Sequence, residues 1–124
     1  MHGNEGKPQV VKQNSIPTGR IKTGSLMLDL PSVDWEPTGD PGFYVKPIFK
    51  DARSGEATLL MKMDPGAHSP NHSHHQLEEI FVLEGDFYDK EHRYTAGQYC
   101  QWAVGAEHET RSEKGGVVLL IYRN

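Results

Sequence analysis

The chain has 124 residues and a formal net charge of -4, with 13 glycines and 8 prolines spread along it. That length suits one hydrophobic core, and the acidic balance lacks the basic face that phosphate neutralisation requires, so no nucleic-acid partner is expected. One cysteine, Cys100, excludes an internal disulfide, and no apolar run nears the ~18 residues of a membrane span, which predicts a cytoplasmic chain without membrane contact.

Residues 1–20 are polar, glycine-dotted and aperiodic, and read as a flexible arm or an edge strand that needs a partner. Residues 21–124 then form one domain. From Ser25 onward the pattern changes to short apolar runs bounded by turn residues: SLMLDLP, FYVKPIF and ATLLMKM, separated by PTGDPG, DARSGE and DPG. After a histidine-rich segment come EIFVLEG, FYDKEHRY with a charged turn at its middle, AGQYCQWAVG, HETRSEKGG and VVLLIYR. None sustains the i, i+3, i+4 apolar spacing of a helix. About eight strands with turns every 8 to 12 residues describe an all-β sandwich or barrel. Apolar strands near both ends, SLMLDL and VVLLIYR, would leave exposed edges, so a homodimer is expected with residues 21–30 at or near the interface.

The chemistry lies in the histidine-rich segment. In an extended strand side chains alternate, so His72 and His74 project from one face, roughly 7 Å apart along the backbone. Glu78 has the same parity and opens the next apolar strand, so a short loop after His74 returns its carboxylate to that face. Imidazole and carboxylate together suit one divalent cation such as iron, zinc or nickel, whereas calcium wants more oxygens. A lone His-x-His is more often solvated surface; the Pro65-Gly66 turn before it and the Leu83-Glu84-Gly85 strand end after it favour metal binding. His75 and Glu79 have the opposite parity and read as pocket-mouth and salt-bridged residues. His2, His68 and His92 read as loop or surface residues, and Cys100 as an inert thiol. No nucleophile elbow, P-loop or dinucleotide fingerprint is present.

The stretch PGAHSPNHSHHQLEEIFVLEGDF, followed by YTAGQYCQWAVGAEH, resembles the two motifs of the cupins, and in particular the ChrR-like cupin domain and acetylacetone-cleaving dioxygenases. The likeness spans about residues 33–124. It implies a small cupin barrel, the double-stranded β-helix or jelly roll. It also implies that His72, His74 and Glu78 are the three metal ligands of the first motif and that His108 is the ligand of the second. Ala103 and Ser112 stand where the second motif usually carries proline and asparagine. ChrR-type proteins also carry an amino-terminal zinc domain that grips a sigma factor; these 124 residues have neither its length nor its cysteine and histidine ligands, so no sigma-factor binding is expected of them.

The function this predicts is an iron-dependent, dioxygenase-like enzyme acting on a small oxygen-bearing molecule, with Glu78 either a ligand or a detachable catalytic base. The alternative is a non-catalytic sensor or binding module whose metal organises a pocket for a small ligand. A sugar isomerase or epimerase is a third reading, disfavoured because those cupins work without the metal ligands.

Overall fold

The computed structural model describes residues 8–11, as backbone, and residues 20–124. Apart from its strand at residues 8–11, the expected amino-terminal arm lies outside the described residues. The chain is built from strands: β1 (Pro8–Val11), β2 (Ser25–Leu28), β3 (Glu36–Pro37), β4 (Phe43–Lys50), β5 (Ala57–Met63), β6 (His68–Ser73), β7 (Leu77–Tyr88), β8 (Arg93–Thr95), β9 (Tyr99–Trp102), β10 (Glu107–Arg111) and β11 (Gly116–Arg123). One 3₁₀ turn, Leu30–Ser32, interrupts them. Among the described residues no helix is long and apolar enough to cross a membrane.

β1 and β2 pair in parallel as a separate ribbon. The other nine strands form one curled antiparallel sheet in the order β3-β4-β5-β11-β7-β10-β6, with β8 and β9 also on β7. The period-2 pattern of β7 and β11 explains the core. Ile80 and Val82 face Val118 and Leu120 across the ladder, all at most 3% exposed. Phe43, Met63, Ala67 and Phe87 complete this interior cluster. Burying that apolar face drives the curl, because a flat sheet would leave it in water.

The sequence reading placed a break at Gly85, whereas β7 runs unbroken to Tyr88. The strand passes through by a register shift opposite Val117 and Val118, with Gly85 at φ 71°. A Cβ at Gly85 would sit 1.9 Å from the Gly115 carbonyl oxygen, so only glycine fits. The next residue, Asp86, is buried and held there. Ser112 Oγ donates to its Oδ1 at 2.9 Å, the Lys114 amide at 3.3 Å, and Arg93 reaches Oδ2 at 3.5 Å. Burial pushes the Asp86 pKa up, but the donated hydrogen bonds outweigh it and hold the group below the usual carboxylate value. Beyond this point β7 pairs with β8, while residues 78–81 pair with β9 and β11.

Candidate metal centre

The interior face of β7 that carries Val82 and Ile80 continues, two residues earlier, to Glu78, which is 3% exposed. The apolar core and the polar site are therefore two ends of one face. Register places the neighbours of Glu78: Trp102 of β9 on one side and Tyr122 of β11 on the other. His72, in β6, pairs directly with His108 of β10. His74 follows β6 by one residue, and residues 74–76 form the short connection that brings the chain back into β7.

His72, His74 and His108 come together, each offering a ligand atom within 4.8 Å of the others'. Glu78 meets them from one side, its Oε1 lying 2.8 Å from His108 Nε2 and 3.7 Å from His74 Nε2. His72 Nδ1 contacts the Pro70 carbonyl oxygen at 2.9 Å, which leaves Nε2 for the site. The His72 and His108 rings are 4.5 Å apart, and Trp102 stacks on the far face of His108 at 4.0 Å and 10°. Tyr122 donates its hydroxyl to Glu78 Oε2 at 2.8 Å and packs its ring 5.2 Å from that of His74.

Electrostatics favour the forms a cation needs. Burial lowers the pKa of His74, only partly offset by Glu78, so its imidazole is neutral at pH 7. Burial raises that of Glu78, but hydrogen bonds from His108 and Tyr122 and the nearby His74 hold it below its usual range. Burial and then the adjacent Glu78 push the Tyr122 phenol far up, so it remains a proton donor.

Two observations test whether a divalent ion fits this donor set. His74 Nε2 is buried without a hydrogen-bond partner among the described residues, an expensive state for a polar atom unless something accepts its lone pair. In addition, ligand atoms about 2.0–2.2 Å from one ion at tetrahedral or octahedral angles lie about 2.8–3.6 Å apart. The 2.8 Å separation of Glu78 Oε1 from His108 Nε2 falls in that range and the 3.7 Å separation from His74 Nε2 just beyond it, while the histidine atoms lie within 4.8 Å of one another, so a bound ion would draw the imidazoles slightly inward. Imidazoles plus a carboxylate suit zinc, iron or nickel.

A cavity of about 350 Å³ opens beside the cluster. Phe43, Met61, Ile80 and Leu120 supply apolar wall, Asp40 and Ser69 a polar rim, and His72, His74, Glu78 and Tyr122 one end. The remaining sequence candidates stand apart. His75 is exposed, and His68 and His92 face carboxylates at the surface. Glu79 is bound by Arg123 and by Tyr99. Cys100 packs against the core, and burial first pushes its thiol pKa up to about 12. Tyr122 and Trp102 were not singled out from sequence. Tyr122 had a signal, since it continues the inward alternation Val118, Leu120; Trp102 had none pointing to His108.

Residues 23–124 match the family model of the ChrR Cupin-like domain. No curated protein matches the sequence. Among solved structures, Rhodobacter sphaeroides SigE in complex with the anti-sigma ChrR aligns at 25% identity and TM-score 0.65 over 77% of this chain. The chain spans about half, 51%, of that relative's length. An RmlC-like cupin from Ralstonia eutropha aligns at 24% identity and TM-score 0.71, covering 88% of this chain and 70% of its own. An acetylacetone dioxygenase from Acinetobacter johnsonii aligns at 15% identity and TM-score 0.69, covering 85% and 76%. At those identities the last two establish the shared fold alone.

Proposed function

Because the chain belongs to the ChrR cupin-like domain family, a barrel that hosts several chemistries, we propose that it is a metal-dependent, dioxygenase-like enzyme acting on a small oxygen-bearing molecule. The metal is one divalent ion, iron first and zinc or nickel as substitutes, held by His72, His74, His108 and Glu78. The observation that carries this reading is the cavity bordering that cluster, since a site open on one side suits turnover and a closed one suits structure.

The lining limits the substrate. No lysine or arginine is among the described residues around the cavity, whereas Asp40 and Glu78 are. A polyanion would meet no cation but the ion itself. A neutral or weakly acidic chelator, such as a diketone, would set its oxygens at the histidine end and its carbon frame against Phe43, Met61 and Leu120. A bound ion supplies Lewis acidity and a place for dioxygen. The chain's own residues do the rest. Glu78, ionised at neutral pH, faces the histidines with one oxygen and would supply the negative charge of the ion's donor set. Tyr122 and Trp102 fix the orientations of Glu78 and His108, and the apolar wall receives the substrate's carbon frame.

Elemental analysis of protein purified without chelator or metal-affinity resin, followed by oxygen uptake against diketones, phenols and carboxylates, tests the proposal. Iron content with substrate-dependent uptake supports it. Protein that takes up no divalent ion overturns it. The second reading is a non-catalytic sensor or binding module of the ChrR-like cupin type, and the family match together with a solved relative that is an anti-sigma in complex with SigE keeps it in view. Metal binding and ligand-induced stabilisation without oxygen uptake under any substrate would favour that one.

A further inference from the structure

We infer that Tyr122 is a positioning residue that restricts Glu78 to a single oxygen toward the ion, and thereby keeps a coordination position open on the cavity side. The inference rests on the metal-site reading above. A carboxylate beside a cation binds through one oxygen or through both, and the choice decides how many positions remain for water or substrate.

The two oxygens of Glu78 have different surroundings. Oε1 faces His108 Nε2 at 2.8 Å and His74 Nε2 at 3.7 Å, while Oε2 accepts the Tyr122 hydroxyl at 2.8 Å. That partnership is built into the ladder: Tyr122 and Glu78 are register partners in the β11–β7 pair, flanked on their own strands by Leu120 and Ile80. The tyrosine ring also packs against that of His74, with centroids 5.2 Å apart. Turning Oε2 to an ion would break that hydrogen bond and take from the phenol the charged acceptor it has here.

Three imidazole nitrogens and one carboxylate oxygen make four protein donors. A six-coordinate ion held by these four would keep two positions, and a Glu78 bound through both oxygens would leave it one. Two positions are what a substrate chelating through two oxygens requires. Tyr122 also lines the cavity itself, so it shapes the space those positions face.

The test uses manganese as the probe ion and water-proton relaxivity, which counts exchangeable waters on the metal. At saturating manganese, Tyr122→Phe should show relaxivity about twofold below wild type, with affinity for manganese equal or tighter, because the freed oxygen displaces one of two waters. A merely structural tyrosine would lower thermal stability and leave relaxivity unchanged, which overturns the inference. Should Tyr122→Phe fail to fold, the wild type decides alone, by infrared difference spectra against Glu78→Gln with manganese added. Widely split carboxylate stretches signify one-oxygen binding and support the inference; closely spaced stretches overturn it. Wild type that holds no manganese, iron or zinc overturns the metal-site reading, and this inference with it.

Discussion

Replacing His74 with alanine separates what the ion does from what the strands do. In the metal-free protein the imidazole contributes little: its side chain is one-third exposed, its buried Nε2 makes no hydrogen bond and lies 3.7 Å from Glu78 Oε1, and its ring meets those of His72, Tyr122 and His108. Losing it should change stability by no more than about 1 kcal/mol, the range of a partly exposed site outside the core. That corresponds to roughly 5 °C or less in Tm for a domain of this size. The bound state is another matter. Apparent zinc binding energies of about 10–16 kcal/mol shared over four ligands give about 3 kcal/mol per ligand. The dissociation constant should therefore rise by roughly two orders of magnitude. Chelator competition with zinc, beside circular dichroism melts of the metal-free wild type and variant, measures both quantities. An unchanged dissociation constant would remove His74 from the site. Collapse of the metal-free variant would refute the claim that the apolar interior alone holds the barrel.

Three other outcomes follow from the geometry. Gly85→Ala puts a methyl against the Gly115 carbonyl at a positive φ, and denaturant unfolding should show a loss of more than about 2 kcal/mol; a loss within 0.5 kcal/mol would disprove the tight crossing. Asp86 has a depressed folded pKa, so its contribution is complete above the ordinary carboxylate value of ~3.9 and disappears as pH falls through the folded one. Urea midpoints between pH 2 and 6 should fall more steeply with acid in wild type than in Asp86→Asn, and equal slopes would contradict the assignment. We also expect a homodimer, because Ile21 and Met27, before and within β2, are 43% and 46% exposed and among the described residues β2 pairs with the short β1 alone. Light scattering showing a monomer at micromolar concentration would exclude it.

How much of this could be read in the sequence depended on the distance over which each contact is encoded. Alternation along one strand is local, so the shared face of His72 and His74 was legible, and so was the return of Glu78 after a short connection. The apolar runs likewise marked most of the long strands. Longer-range features were not legible. β3 is two residues with Pro37 at its end and has no run of its own, and β6 is polar and was read only as the ligand-bearing segment. Gly85 looked like a terminus because glycine usually ends strands, whereas here it lets β7 pass close to residues 115 and 116. Tyr122 and Trp102 both come beside Glu78 through cross-strand register, which pairs positions 44 and 24 residues apart, and only that placement lets Trp102 stack on His108. Ser112, where the motif usually has asparagine, takes its meaning only from the buried Asp86 it binds.

The stack of Trp102 on His108 gives the protein an optical gauge of its own. The chain has two tryptophans, and Trp35 lies elsewhere, under the ammonium groups of Lys46 and Lys62. Light absorbed by Trp102 is re-emitted by an indole in van der Waals contact with the imidazole that reaches the candidate centre. An open-shell ion arriving there drains that emission over a few ångströms, while a closed-shell ion changes it only through the charge on the ring. Iron and zinc would therefore leave different signatures on the same residue, and Trp35→Phe would remove the background against which they are read.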